Sequence, residues 1–145
     1  AEKLEAVLRA GMAAPSAGNQ RPWEFYIVRD REKLEALSQI SRYAGPVAAA
    51  PLAIVAVCDP AGKRFAEVAP TDMAICTEHL WLGAVAEGLG SVWIGVYPFE
   101  DRVKLANQIL GIPAGQFVFS VLPLGYPAEE KAPEDRFDPA RIHEM

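Results

Sequence analysis

Apolar and polar residues follow two different periods along the chain. Apolar residues spaced three and four positions apart, typical of a helix with one buried face, mark the segments 2–14, 30–40 and 99–110. Mainly apolar runs typical of strands cover 24–29, 51–58, 91–97 and 116–124. Asp30 stands where a helix N-cap is expected, and 51–58 is apolar enough for a strand covered on both faces. The alternation without a linker predicts one layered domain with helices on both sides of a sheet.

One further helix is apolar around nearly its whole circumference. It is predicted to begin at a cap formed by Thr71 or Asp72 and to end near Glu87, before the glycines at 88 and 90. Such a helix is normally buried at the centre of a domain or between subunits. The remaining stretches are less regular: 59–70 reads as a loop, and Gly45-Pro46 is expected to break any helix within 41–50.

Composition narrows the class of protein. The chain has 145 residues, of which 51% are hydrophobic and 23% charged, with a formal net charge of −5. No basic stripe is present, which argues against a nucleic-acid partner, and no apolar run is long enough to span a membrane. Cys58 and Cys76 lie in apolar surroundings without metal-ligand spacing, so they are interpreted as small buried hydrophobes. A reducing cytoplasm is the simplest location.

Side chains that could carry chemistry are few. His79 and His143 are the only histidines and have no neighbour at metal-ligand spacing, so no metal site is expected. No nucleophile elbow or phosphate-binding P-loop occurs. The segment 88–93 looks like a dinucleotide fingerprint, but Trp93 replaces the third glycine and the segment precedes a strand. A pocket of this kind suits a protein whose cofactor carries the chemistry, and no side chain is predicted to be catalytic.

The segment Ala14–Trp23, with the sequence APSAGNQRPW, joins the first helix to the first strand. Pro15 ends the helix, and Gly18 and Asn19 are residues that adopt positive φ at low cost. The result is a stiff polar loop, from which several backbone N–H groups are expected to meet a ligand. A plain connector is the alternative interpretation.

This loop closely resembles that of the nitroreductase-like flavoproteins, which bind flavin mononucleotide (FMN). Two later segments strengthen the resemblance: GLGSVWIGVYP at 88–98 and the tail 125–137. It extends over nearly the whole chain, from Leu4 to His143. It implies an α+β fold, namely a three-layer α/β/α sandwich with a mixed central sheet. Residues 1–145 would then form a single FMN-binding domain. Members of that family usually carry a short segment upstream of the first helix whose arginines and serine bind the FMN phosphate, and the resemblance implies that the given sequence begins after it.

The resemblance also implies which residues bind the cofactor. In the loop these are Pro15, Ser16, Ala17, Asn19 and Arg21, although Arg21 can equally be a surface arginine. At the end of the third strand, the backbone of Ile94, Gly95 and Val96 would run along the flavin ring, near its reactive N5. Gly95 fits such a place because the missing Cβ lets a flat ligand approach, but a simple bulge would explain it too. In the tail, Lys131 and Arg136 would hold the phosphate.

The activity implied is that of an NAD(P)H-dependent oxidoreductase. NAD(P)H would reduce FMN and leave, and a nitroaromatic, a quinone or a similar small acceptor would then be reduced in ping-pong fashion. Family members are homodimers with the flavin at the interface, which suits the apolar 72–87 helix. Two alternatives stay open: a flavin-binding sensor or storage protein without turnover, and a fragment that does not retain flavin.

Overall fold

The computed structural model describes residues 1–145 and contains one five-stranded sheet. Its strands are β1 (Trp23–Val28), β2 (Leu52–Cys58), β3 (Gly90–Ser91), β4 (Ile94–Gly95) and β5 (Phe117–Gly125). The order is β1-β2-β5-β3, and β4 also pairs with β5. These are the strands that the sequence predicts, except that 91–97 is interrupted at Val92 and Trp93 and leaves two short strands.

All four strand pairings are antiparallel, so the expected mixed sheet is wrong in this detail. Val28 at the end of β1 pairs with Ala53 at the start of β2. The chain therefore re-enters the sheet at the end where β1 leaves it, whereas a parallel pair needs a crossover to the opposite end. The α+β class itself is confirmed.

Five helices cover the sheet: α1 (Glu2–Met12), α2 (Arg31–Leu37), α3 (Pro46–Ala49), α4 (Ala69–Ala86) and α5 (Glu100–Leu110). One face of the sheet packs against α2, α3 and α5, and the other packs against α1 and α4. Strand β2 serves both layers, because Val55 faces the first set of helices and Ile54 the second, and both are fully buried. The three-layer sandwich is thus confirmed.

A proline explains how the structure differs from the sequence prediction at the starts of two helices, α3 and α4. Pro46 begins the short helix α3 instead of breaking a helix. Pro70 lies in the first turn of α4, which therefore begins at Ala69. Proline is well suited to the first turn, where its missing N–H has no partner to lose. Asp72 consequently lies inside the helix and does not cap it. The predicted cap at Asp30 is confirmed, since its side chain accepts a hydrogen bond from the N–H of Lys33 at 3.0 Å.

Helix α4 is apolar on its outer side as well as its inner side. Met73, Cys76 and Leu80 are fully buried against the sheet and α1, while Leu82 is 58% exposed and Val85 63% exposed. We call the exposed side, with Leu82 and Val85 at its centre, the outer face of α4. The chain contains no helix with the length and apolar character needed to cross a membrane.

Candidate functional site

The segment 14–22, here called the 14–22 loop, forms a tight turn between α1 and β1. A single 3-10 turn covers Ala17–Asn19. Gly18, Asn19 and Arg21 have positive φ angles of 55°, 56° and 46°. Glycine and asparagine adopt this conformation most readily, whereas arginine rarely does. Arg21 is therefore held in an unfavourable backbone conformation by the surrounding structure.

The main chain of the 14–22 loop bonds largely to itself. The N–H groups of Asn19 and Gln20 donate to the carbonyl oxygens of Ser16 and Ala17, at 2.9 and 3.1 Å. The N–H of Arg21 donates to Ser16 Oγ at 3.0 Å. The expectation of several free N–H groups is therefore wrong, because the tight turn closes on its own acceptors. Ligand contacts from this loop would come mainly from side chains, and those of Asn19 and Arg21 are exposed.

A buried carboxylate lies beneath the loop. Asp72, in the first turn of α4, is 3% exposed. Its Oδ1 accepts a hydrogen bond from the N–H of Ala17 at 2.9 Å, and its Oδ2 accepts one from Gln20 Nε2 at 2.7 Å. The Gln20 amide also pairs in both directions with the main chain of Phe65, with two bonds of 3.0 Å. The loop is thus tied to α4 and to the segment that precedes it.

A polar cavity of about 330 Å³ opens beside the loop. It is lined by Met12, Gln20, Arg21, Trp23 and Lys63. Arg21 and Lys63 place two cations at its wall, which favours an anionic ligand there. A second cavity of about 410 Å³ lies at the other end of the sheet, around Gly90, Ser91 and four prolines, and no charged side chain lines it. The chemistry of the lining therefore places the candidate site beside the loop.

The predicted strand-end segment lies toward the same end of the sheet as the loop. Gly95 pairs with Ser120, close to the end where Cys58 pairs with Phe117 and with Trp23. Ile94 and Val96 are buried in the layer of α2, α3 and α5, so only their main chain can face a ligand.

Gly95 is the open point of this segment. A Cβ built on Gly95 would meet nothing within 4 Å, so the space above it is free. The carbonyl oxygen of Gly95 accepts a hydrogen bond from Arg102 Nη1 at 3.0 Å. This bond fixes the peptide that the family resemblance would place next to the flavin.

Of the two tail residues, the structure places Lys131 away from the loop. Strand β5 runs from the loop end of the sheet to the opposite end, where Gly125 pairs with Gly90. Lys131 lines a cavity there with Ser91 and is paired with Glu129 at 3.0 Å. Arg136 is exposed and its Nε donates to Glu134 at 2.8 Å. Within one chain the structure thus brings the loop and Gly95 toward one end but does not bring Lys131 to them.

Comparison with known proteins decides the family. The sequence pattern that defines the Nitroreductase family matches residues 1–65 and 42–126. The chain belongs to the nitroreductase family. A protein of Archaeoglobus fulgidus, provisionally named NADH dehydrogenase/NAD(P)H nitroreductase, is 44% identical over 98% of this chain and 84% of its own length.

Solved nitroreductase-like structures share the fold closely. A provisionally named NADH oxidase of Clostridium acetobutylicum superimposes with a TM-score of 0.93 at 44% identity, covering 98% of this chain and 86% of that one. An FMN-dependent nitroreductase of Clostridium difficile R20291 superimposes with a TM-score of 0.88 at 34% identity, over 98% and 86% of the two chains. As a member of this family the protein is an oxidoreductase, and the family resemblance carried by the three sequence motifs is confirmed.

The residues at the candidate site are compatible with FMN. A Cβ on Gly95 would meet nothing within 4 Å, so a flat ring would meet no side chain there, and the exposed side chains of Asn19 and Arg21 would offer polar groups to a ribityl chain or a phosphate. No three His, Cys, Asp or Glu side chains are arranged to hold a metal ion. His79 packs between α4 and α1, where Nδ1 lies 3.3 Å from the carbonyl oxygen of Ala10.

The sequence patterns do not assign two residues of this region to the site. They predict Asp72 as a possible helix cap and give no role to Arg102, one of several polar residues of α5. A buried aspartate could have been suspected from its place between apolar residues on the nearly all-apolar helix α4. Nothing in the sequence signals that Arg102 reaches the carbonyl of Gly95, because that contact depends on how α5 packs beside β4.

Proposed function

We propose that this protein is an FMN-dependent NAD(P)H oxidoreductase that reduces small acceptors such as nitroaromatics and quinones. The observation that carries the proposal is the pairing of two features at one end of the sheet: a rigid polar loop and an uncovered glycine on a neighbouring strand end. The loop provides polar side chains that can bind the cofactor, and the glycine leaves an open surface for a flat ring. The FMN-dependent relative supports the choice of flavin.

In this proposal the chain binds and orients the cofactor and supplies no nucleophile. Bound FMN would take a hydride from NAD(P)H and deliver electrons to the acceptor. Ser16, Asn19 and Arg21 hold the polar part of the cofactor. Gly95 leaves its ring face accessible, and Arg102 fixes the Gly95 peptide through its carbonyl oxygen.

We also propose a homodimer as the functional unit. Lys131 lies at the sheet end opposite the 14–22 loop, so a second copy is the economical way to bring a tail to each loop. The outer face of α4 provides the apolar contact surface, since Leu82 and Val85 are more than half exposed. Two buried and unpaired thiols, Cys58 and Cys76, suit a reducing cytoplasm.

The absorbance spectrum of the purified protein tests this function. We expect flavin bands after reconstitution with FMN, bleaching with NADH or NADPH in the absence of oxygen, and recovery when a quinone or a nitroaromatic is added. Flavin binding without bleaching would indicate a binding protein without turnover. Failure to retain FMN or riboflavin would contradict the proposal altogether.

A further inference from the structure

The buried Asp72 carboxylate brackets the turn of the 14–22 loop. Its two oxygens accept from Ala17 N–H and from Gln20 Nε2, at 2.9 and 2.7 Å, and these partners are three residues apart. Between them lie Gly18 and Asn19, both with positive φ. The bracket therefore spans two successive residues with positive φ and ends directly before Arg21, the residue for which positive φ is least favourable. The N-terminal end of α4 favours the negative charge, because the helix dipole is positive there.

The side chain of Gln20 links Asp72 to the segment before α4, and its amide group cannot rotate by 180° without losing hydrogen bonds. Its Nε2 donates to Asp72 and to the carbonyl of Phe65, and its Oε1 accepts from the N–H of Phe65. A flipped amide would set an NH₂ group against the Phe65 N–H. The Phe65 ring also packs against the loop, since a Cβ on Gly18 would lie 2.8 Å from it.

Positive φ at a residue with a long side chain, such as arginine, persists only where surrounding contacts impose it. Arg21, with φ 46°, directly follows Gln20, and Asn19, with φ 56°, directly precedes it. These are two of the side chains that the proposed function assigns to FMN. Fixing Gln20 thus sets the direction from which both exposed side chains leave the loop.

We propose that Asp72 is a positioning residue that acts through Gln20 and the Ala17 N–H to pre-organise the 14–22 loop for the polar part of FMN. This inference rests on the proposed function. Asp72 is buried beneath the loop, so its effect is exerted through the conformation of the loop. Pre-organisation lowers the cost of ordering a binding loop and so strengthens binding.

The substitution Asp72→Asn tests the bracket at nearly constant volume. The asparagine side chain has one acceptor, its oxygen, and one donor, its NH₂ group. In either orientation the NH₂ group therefore faces another donor, either the N–H of Ala17 or Nε2 of Gln20. Gln20 cannot relieve the clash without losing its bonds to Phe65. We expect the Kd for FMN to rise about tenfold or more, as for the loss of a charge-assisted hydrogen bond. Amide hydrogen exchange at Ala17 should accelerate at the same time.

Two controls separate positioning from general loss of stability. Asp101→Asn makes the same chemical change at an exposed site in the first turn of α5 and should leave the Kd unchanged. Val7→Ala creates a cavity in the buried core between α1 and the sheet, within a cluster of side chains that includes no residue of the 14–22 loop, and should lower the unfolding temperature without touching the bracket. Gln20→Ala combined with Asp72→Asn should be no worse than the more damaging single change, because both break one network.

The outcomes are distinct. Suppose that the wild-type protein binds FMN and oxidises NAD(P)H, and that the Asp72→Asn variant binds FMN equally well. The positioning role is then wrong and the proposed function stands. If Val7→Ala weakens FMN binding as much as Asp72→Asn does at an equal loss of unfolding temperature, the role is also wrong. A wild-type protein that binds no FMN overturns both proposals. Weaker FMN binding confined to the bracket variants, together with faster exchange at Ala17, supports the inference.

Discussion

Individual residues in this fold are constrained mainly by burial. Cys58 and Cys76 are fully buried, as the sequence predicted. Burial raises the pKa of Cys76 from 9.0 to about 12. Burial, with a further contribution from the negative charge of Asp59, raises the pKa of Cys58 to about 12 as well. Both thiols are therefore protonated and unreactive in the native protein near neutral pH.

These thiols predict a loss of stability at alkaline pH. In the unfolded chain they ionise above about pH 9, while the folded protein keeps its protons up to about pH 12. Over that interval the unfolded state binds fewer protons, so the free energy of unfolding falls as pH rises, by up to about 1.4 kcal/mol per pH unit for each thiol. Urea unfolding from pH 8 to 10.5 measures the slope.

The double variant Cys58→Ala/Cys76→Ala is the comparison for this pH effect, because all other titrating groups are shared. Its unfolding free energy should depend less steeply on pH above 9 than that of the wild type. A thiol reagent at pH 8 should label neither cysteine until denaturant is added. Equal slopes in the two proteins, or rapid labelling of the native protein, would show that the thiols are not protected as described.

At the scale of elements, the longer helices and strands could be predicted from the sequence, whereas the exact start of a helix and a break within a strand could not. The strands β1, β2 and β5 and the helices α1, α2 and α5 follow from apolar periodicity, because each buries one face or both. The start of α4 was misplaced since Asp72 resembles a cap in the sequence, whereas Pro70 occupies the first turn. The sequence does not predict the interruption between β3 and β4, because Val92 and Trp93 are apolar residues of the kind found within continuous strands.

The outer face of α4 predicts how the protein assembles. From the all-apolar sequence pattern alone, Leu80 is as good a candidate for an interface residue as Leu82. Leu80 is fully buried within one chain, however, so only the exposed positions of α4 can test an interface between copies. Leu82→Glu should give a folded monomer that has lost its flavin, because a charge in an apolar interface is left unpaired. Analytical ultracentrifugation and the flavin absorbance measure this. Leu105→Glu, on the exposed side of α5, is the matched control and should stay dimeric. A wild type that is monomeric with flavin bound would refute the interface.

At the scale of the whole molecule, the residues that the family resemblance assigns to the cofactor do not all lie together within one chain. The loop and Gly95 were predictable because their residue types are unusual for strands and helices. The separation of Lys131 from the loop was not, since it depends on the direction of β5 and on where the tail leaves the sheet. The order of the motifs along the sequence does not reveal whether the loop and the tail of one chain serve the same site.

Arg136 provides the test at this scale. A guanidinium binds phosphate oxygens in a bidentate manner, so Arg136→Ala should raise the Kd for FMN about tenfold to a hundredfold, the effect of losing a charge-assisted hydrogen bond. Riboflavin lacks the phosphate, so its Kd should hardly change. Arg141→Ala removes another exposed, ion-paired arginine of the same tail and serves as the control. Equal weakening of FMN and riboflavin would mean that Arg136 merely packs the tail.

Mixed dimers then show which copy supplies the arginine. A chain with the loop change Gly18→Val, which meets both the positive φ and the Phe65 ring, is co-expressed with an Arg136→Ala chain. If each site combines the loop of one copy with the tail of the other, one site in every mixed dimer escapes both changes. About a quarter of all sites should then bind FMN at wild-type strength, since random pairing makes half of the dimers mixed. If loop and tail of one chain serve the same site, every site carries a defect and no tight-binding fraction appears in the titration.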